Sequence, residues 1–467
     1  MKKAKGFSRR SFLAGTLAAG SNLALAPHAR VLGANDDIRV AVVGFRGQGS
    51  LHLRLLRELS GVRVVAVCDV DQSVLDRERQ RSGGTTATYT DVRKLLEDKN
   101  IDAVTTATPD HWHALVTIWA CQAGKDVYVE KPISHNLWEG RKMVEAARTH
   151  HRIVQYGNHN HGHHTGQMQL ETDKLGEIQV VWASLNRMRK SIGKVTGPQP
   201  IPTSINYDLW TGPAPLEPLM RTRLHYDWHW VWSTGTGELG NNGIYPLNEV
   251  RLALGQKTLP RRVLSLGGRF TFKDDGQTPN SQLAMLQYDP GQLVIFELRN
   301  LPSEKGPKTI HRKMKCRGGE SSLPRPTGEA GDTGGFGAHK GHLYNFLSAV
   351  RSRNVSDLRA DILEGHLSTA MVHMANTSYR LGTPHTPDEV RDAIKDRGSE
   401  AVETFGRFQE HLIANGVDFS KSDIVLGPWL EMEPEREEFV GSSDLTARAN
   451  QLLRGRYRKP FVVPDQV

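Results

Sequence analysis

Thr108-Pro109-Asp110-His111-Trp112-His113 begins, and Val127-Tyr128-Val129-Glu130-Lys131-Pro132 ends, the segment from which the architecture follows. Between them His111 to Ala123 carries a helical apolar pattern, and Asp126 to Val129 reads as a buried strand entering the Glu130-Lys131-Pro132 corner. Ile101 to Ala107, just upstream, is another short apolar run. Strand, helix and strand in that order make a parallel βαβ unit. Lys131 is thereby delivered to the carboxyl edge of a parallel sheet, where open α/β sheets bind their ligands.

Working outward, the same alternation continues on both sides. Ile38 to Val43, Val62 to Cys68 and Arg152 to Tyr156 read as strands; Ser50 to Leu59, Gln72 to Gln80, Asp91 to Leu96 and Asn136 to Ala147 read as helices. After Tyr156 the pattern changes. Ile178 to Asn186, Arg262 to Phe272, Gln282 to Tyr288 and Gln292 to Arg299 read as strands, the later ones close enough to pair as antiparallel hairpins. Arg189 to Trp232 is a long loop crowded with Pro, Gly, Trp and His, and loops of that length in a compact domain are usually functional. Helices are expected at Gly341 to Arg351, Asp361 to Arg380 and Glu400 to Asn415, the last within a polar tail of no evident role.

Gly44-Phe45-Arg46-Gly47-Gln48-Gly49 sits between the first strand and its helix, the context that makes a glycine-rich string a phosphate site. Backbone N–H groups and the helix dipole there receive a pyrophosphate. Arg46 replaces the middle glycine of G-x-G-x-x-G, so its side chain must turn outward or itself pair with phosphate. Asp69 follows Gly49 by twenty residues at the end of the second strand, where a carboxylate accepts hydrogen bonds from a ribose 2′-hydroxyl. A carboxylate there repels a 2′-phosphate, so the expected cofactor is NAD. The fold class expected is α/β: a Rossmann-type parallel sheet over 36–157, then an α+β domain over 158–383, then an extension over 384–467.

The net charge of +9 does not indicate a nucleic-acid partner. Six basic residues and no acid fall within 1–34, so the rest of the chain carries only +3, with no basic run interleaved with aromatics. That leader, with Ser8-Arg9-Arg10-Ser11-Phe12-Leu13 and an Ala/Gly-rich run to Ala26, resembles a twin-arginine export signal, cleaved after Ala26 or after Ala34. The run is too short and too weakly apolar to span a membrane. The expected location is therefore the periplasm, reached through the twin-arginine translocation machinery. Cys68, Cys121 and Cys316 are too few and too scattered for a disulfide framework, and none has metal-ligand spacing.

Ala41-Val42-Val43-Gly44, Cys68-Asp69-Val70-Asp71, Ala107-Thr108-Pro109-Asp110-His111-Trp112-His113 and Glu130-Lys131-Pro132, in this order, resemble the Gfo/Idh/MocA family of nicotinamide-dependent sugar oxidoreductases. Asp208 to Pro215, Thr236 to Asn241 and Glu364-Gly365-His366 resemble its exported branch. The resemblance implies an open, mostly antiparallel second sheet with the sugar on one side and a face that often forms homo-oligomers. It also implies that NAD meets Gly44, Arg46, Gly47, Gln48, Gly49, Asp69, Thr108, Pro109, His113, Glu130, Lys131 and Asn158, with Lys131 beside the nicotinamide. Removing hydride from a carbinol requires a base for the hydroxyl proton, and a lysine depressed by burial and a nearby positive ring suits that task.

One departure bears on mechanism. Where the family shows Asp and, four residues on, His, this chain has Asn241 and Tyr245, with Asn248 at another usual Asp. Tyr245 serves as proton carrier only if a cation such as Lys131 lowers its pKa; otherwise it hydrogen-bonds a sugar hydroxyl. The run His159-Asn160-His161-Gly162-His163-His164 has no nearby Cys or carboxylate, so His159 and His161 are expected at nucleotide or sugar and no metal is assigned. His225 to Trp230, with His229, fits either a sugar site or a packed inter-domain loop. Outside the cytoplasm free NAD is scarce, which calls for a tightly held cofactor. Three functions remain open: a sugar or glycoside oxidoreductase with Lys131 and Tyr245 as catalytic residues and Lys131, His159, His229, Asn241 and Tyr245 at the substrate; glycoside cleavage through transient sugar oxidation; and a non-catalytic sugar binder with a vestigial nucleotide site.

Overall fold

The strands of the first half are mostly buried on both faces, as those of a helix-covered parallel sheet must be, except the edge strand Ala87–Tyr89 and the start of its neighbour. In the computed structural model, which describes residues 37–159, 174–304, 306, 308–322 and 336–467, they are β1 (Ile38–Val43), β2 (Val62–Cys68), β3 (Ala87–Tyr89), β4 (Ala103–Thr106), β5 (Asp126–Glu130) and β6 (Val154–Gly157). The leader 1–34 and His161, His163 and His164 lie outside the described residues. Helices α1 (Gln48–Arg57), α2 (Gln72–Arg81), α3 (Val92–Glu97), α4 (Asp110–Gln122) and α5 (Leu137–Thr149) alternate with the strands. The strand order is β3-β2-β1-β4-β5-β6, all parallel. It reverses between β1 and β4, which opens a crevice at their carboxyl ends.

The second sheet is built from β7 (Ile178–Arg187), β8 (Arg262–Gly268), β9 (Ser281–Tyr288), β10 (Gln292–Arg299), β11 (Lys308–Cys316), β12 (Gly319–Ser322), β13 (Thr383–His385), β14 (Ile424–Leu426), β15 (Leu430–Glu433) and β16 (Glu438–Val440). Its main path runs β12-β11-β7-β10-β9-β8-β14-β13, and only the β7–β10 pair is parallel. The expected mostly antiparallel sheet is present. One face packs on α7 (Ile244–Ala253) and α9 (Ile362–Arg380), and this core is continuous with that of the first sheet, against which α8 (Phe336–Ser352) lies. The other face is covered by α10 (Pro387–Ile394) and α11 (Ser399–Ala414) through Val390, Phe405 and Phe408.

Residues 384–467 are woven into the molecule rather than appended to it. β14 and β15 both pair with β8, and Leu453 of α12 (Asp444–Arg454), Phe461 and Val463 are buried in the main core. The long loop contains a short α-helix, α6 (Tyr207–Thr211), and a 3-10 turn at Asp227–Trp230, and crosses back to the first sheet. There Ile205 bridges to Asp71, the Gln72 N–H donates to the Ser204 carbonyl at 2.8 Å, and the Asn206 N–H donates to that of Val70 at 2.9 Å. Residues 189–235 thus form a strap over the carboxyl end of β2. Among the described residues no helix is long and apolar enough to cross a membrane.

Candidate active site

Two glycines shape the loop after β1. Gly44 has φ +70°, and a Cβ on it would press on Thr108; a Cβ on Gly49 would lie 1.9 Å from the Gly44 carbonyl oxygen. Only glycine allows this turn and this close approach of α1. Gly47 precedes α1 without a side-chain cap, leaving first-turn N–H groups for a ligand. The side chain of Arg46 turns outward and is exposed. Its guanidinium pairs with Asp71, so it lies along the ribose side of the loop.

Asp69 accepts from the Phe45 N–H at 3.2 Å and the Asp71 N–H at 3.0 Å. Burial raises its pKa to about 6, against the Phe45 bond and the charges of Arg46 and Arg77. A ribose hydroxyl in contact would reinforce the ionised form.

Gly44, Arg46, Gly47, Gln48, Asp69, Thr108, Pro109, His113, Glu130, Lys131, His229, Asn241 and Tyr245, all singled out from sequence, line one cavity of about 420 Å³. Gly49 acts behind the loop wall. Asn158 also stands behind the wall, fully buried, with its Nδ2 donating to the Tyr156 hydroxyl at 3.2 Å. His159 is buried against His339, ring centroids 3.9 Å apart, and against Tyr245 at 5.6 Å; burial and His339 lower its pKa to about 3.

Lys131 leaves the end of β5 and donates from Nζ to the Asn241 carbonyl at 2.6 Å and to Asn241 Oδ1 at 3.3 Å. Asn241 is fixed in turn: its Nδ2 donates to Glu238 at 3.1 Å, and Glu238, fully buried, pairs with Arg189 at 2.8 Å. On the other side, Glu130 accepts from His52 at 2.9 Å and Gln48 at 3.2 Å. Burial works against its ionisation, but the His52 bond and Lys131 nearby hold it at about 2.

The expectation that Lys131 lowers the pKa of Tyr245 is not met. Its Nζ lies over the ring, 5.3 Å from the centroid, and burial beside Glu130 and Tyr156 drives the hydroxyl well above its usual value. Tyr245 is therefore a hydrogen-bond donor at neutral pH.

Sequence reasoning passed over Asp110, although it lies within the motif and opens α4. It is buried in the cavity wall and accepts from the Thr236 hydroxyl at 2.7 Å and the Thr236 N–H at 3.2 Å. Burial raises it to about 7, against Thr236 and the charge of Lys131. Its neighbours are structural. His111 meets the carbonyls of Thr234 at 3.2 Å and Trp210 at 3.1 Å, Trp112 donates to the Leu209 and Trp210 carbonyls at 3.1 Å, and His113 sits between the Thr108 and Pro132 carbonyls. The His111 and Trp112 bonds fasten the strap to α4, and those of His113 hold the Lys131-Pro132 corner. Trp210, Trp228 and His225 then wall the cavity above Asp69.

Comparison with known proteins agrees with this geometry. The family model GFO_IDH_MocA, "Oxidoreductase family, NAD-binding Rossmann fold", matches residues 38–158; its companion, "Oxidoreductase family, C-terminal alpha/beta domain", matches 186–405. The chain is 33% identical over 136 residues to a glycosyl hydrolase family 109 protein of Shewanella sp. (strain W3-18-1), an alignment covering 27% of this chain and 30% of that protein. It is 35% identical over 121 residues to inositol 2-dehydrogenase 1 of Saccharopolyspora erythraea, covering 23% and 36%. The chain thus spans about a third of the length of these curated relatives. In fold it is similar to myo-inositol dehydrogenase from Lactobacillus casei solved with NAD(H) and myo-inositol (TM-score 0.53, 18% identity, 74% of this chain and 95% of that one). It is also similar to the WlbA dehydrogenase of Bordetella pertussis solved with NADH and UDP-GlcNAcA (TM-score 0.55, 16% identity, 74% and 96%). The glycine cradle, the uncapped start of α1 and the Asp69 carboxylate fit NAD.

Proposed function

We propose an activity for this chain, which belongs to the Gfo/Idh/MocA family of oxidoreductases: it oxidises a carbohydrate or glycoside hydroxyl, or reduces the matching carbonyl, with NAD held in place and Lys131 carrying the proton. The observation that carries the reading is that Lys131 Nζ shares one cavity with the nucleotide cradle and is aimed by Asn241. When bound, NAD supplies the hydride acceptor, and in reverse the donor. The loop at Gly44 to Gln48 binds pyrophosphate, and Asp69 binds ribose hydroxyls. Lys131 takes the hydroxyl proton or, as ammonium, polarises a carbonyl. Tyr245, kept protonated, orients the sugar oxygen by donation. His229, lowered to about 3 by burial, presents a neutral ring on the same wall.

Retention of the nucleotide is supported by the strap, whose main-chain bonds to Val70 and Gln72 close over the ribose side. Such a cofactor suits export in the folded state through the twin-arginine pathway to the periplasm, which belongs to the proposal. The second reading, glycoside cleavage by transient oxidation, draws on Asp110: a buried carboxyl near 7 can lose and regain a proton as elimination requires.

The test is to denature the purified protein and identify what it releases. Near-stoichiometric NAD or NADH is expected, and Lys131→Ala should keep the nucleotide yet lose turnover by about a thousandfold or more, at the upper end of general acid–base contributions. Protein that is empty and fails to take up added NAD overturns the reading.

A further inference from the structure

We propose that the saccharide bound here is anionic, bearing a carboxylate or sulfate, and that Arg187 and Lys308 receive that group. The inference rests on the reading above for where the saccharide lies. In the antiparallel β7–β11 pair, Arg187 stands directly opposite Lys308. Side chains alternate along a strand, so Arg187 shares a face with Val181, Ala183 and Leu185, and Lys308 with Ile310, Arg312 and Met314. That is the face toward α7: the apolar members belong to or pack on the main core, and Arg312 pairs with Glu249 of α7. Arg187 and Lys308 form the last row of this face, beyond its apolar part; neither belongs to the cavity lining itself, and the row lies on the Tyr245 side of the Arg312–Glu249 pair.

Like charges directly opposite one another destabilise a strand pair. Their basic neighbours are neutralised: Arg312 by Glu249, Arg189 by Glu238. Among the described residues, Arg187 and Lys308 have no acid bonded to them. The pair is felt at the proposed substrate end of the cavity. The charge of Arg187 acts on the Tyr245 hydroxyl, and that of Lys308 on His159; burial and then Arg187 lower the pKa of Lys308 against the charge of Glu238, with Arg189 and Lys131 also lowering it. The two nearby acids are already engaged, Glu238 by Arg189, Asn241 and Asn242, and Glu130 by His52 and Gln48. A neutral sugar leaves two cations uncompensated beside Lys131. A carboxylate or sulfate accepts the guanidinium fork of Arg187 and the point charge of Lys308.

The test uses matched methyl glycosides of glucose, galactose and mannose, each as the neutral sugar, the uronate and the 6-sulfate, titrated calorimetrically into the intact NAD-loaded protein. In at least one series an acidic member should bind about tenfold or more tightly than its neutral counterpart. The uronate and sulfate arms identify which anion is taken. Arg187→Gln with Lys308→Gln should bring that ratio close to one, and Lys308→Gln alone, at an exposed position, should lower it severalfold. Absence of any acid preference, whether both members bind or neither does, overturns the inference, as does a preference that survives in the double variant. Acid-selective binding without nicotinamide reduction would instead leave this inference standing and remove the oxidoreductase reading. Redox turnover of neutral sugars with no acid preference does the reverse.

Discussion

Asp110 ties the motif's chemistry to its architecture. Its carboxyl is held neutral by burial up to about pH 7, against 3.8 when exposed. Below 3.8 both folded and unfolded chains carry the proton. Between 3.8 and 7 the unfolded chain ionises first, so this residue's stabilising contribution is lost as pH rises. Asp110→Asn keeps an acceptor for Thr236 but cannot titrate. Its melting temperature relative to wild type should therefore climb across pH 4 to 7, followed by thermal denaturation; a constant difference would contradict the assignment. Lys131, Gly44 and Asp69 were legible in the sequence because each needs a particular residue type at a strand end. The role of Asp110 was not, because its partner Thr236 lies 126 positions away. Nor was the direction of the Tyr245 shift, since burial among Glu130 and Tyr156 is a property of packing.

At the scale of elements, the strap closes the site on its ribose side. It is held from below by His111 and Trp112 of α4 and from the side by Val70 and Gln72. The tail adds a third attachment: Arg458 donates to Asp208 Oδ1 at 2.7 Å, to the Asp208 carbonyl at 2.9 Å and to that of Gly212 at 3.1 Å. Arg458→Ala removes charge-assisted bonds, each worth about 1.5–3 kcal/mol at most. NAD release, measured by dilution into a nucleotide scavenger, should speed up by roughly tenfold. An unchanged release rate would show that the strap does not govern retention. The loop's unusual length and aromatic content marked it from sequence as functional. Where it lands could not be read, because main-chain bonds at 204–206 leave no side-chain signature.

For the whole molecule, the tail is part of the fold. Phe461 meets Trp112 edge-on at 5.4 Å, and Leu453 and Val463 enter the same core. Truncation after Gly441 strips away these three and Ala449. Each large apolar side chain contributes about 1.5–3 kcal/mol, and a domain's entire stability is about 5–15 kcal/mol. The truncated protein should show no cooperative melt by calorimetry; a normal transition would return the tail to the status of an appendage. Five of the six strands of the parallel half were readable because they are apolar runs; β3, Ala-Thr-Tyr, was not. β13, β14 and β16 were not, each being three residues long and recognisable only by its pairing.

Under the proposed function, the strap's closure would also govern the order of events. With the ribose side latched by main-chain bonds, exchange of nucleotide waits on local opening rather than on diffusion. Each molecule must then keep its own electron account. A donor that leaves its hydride behind has to depart before an acceptor collects it through the same mouth. Two reactants would visit alternately, in ping-pong fashion, and never meet.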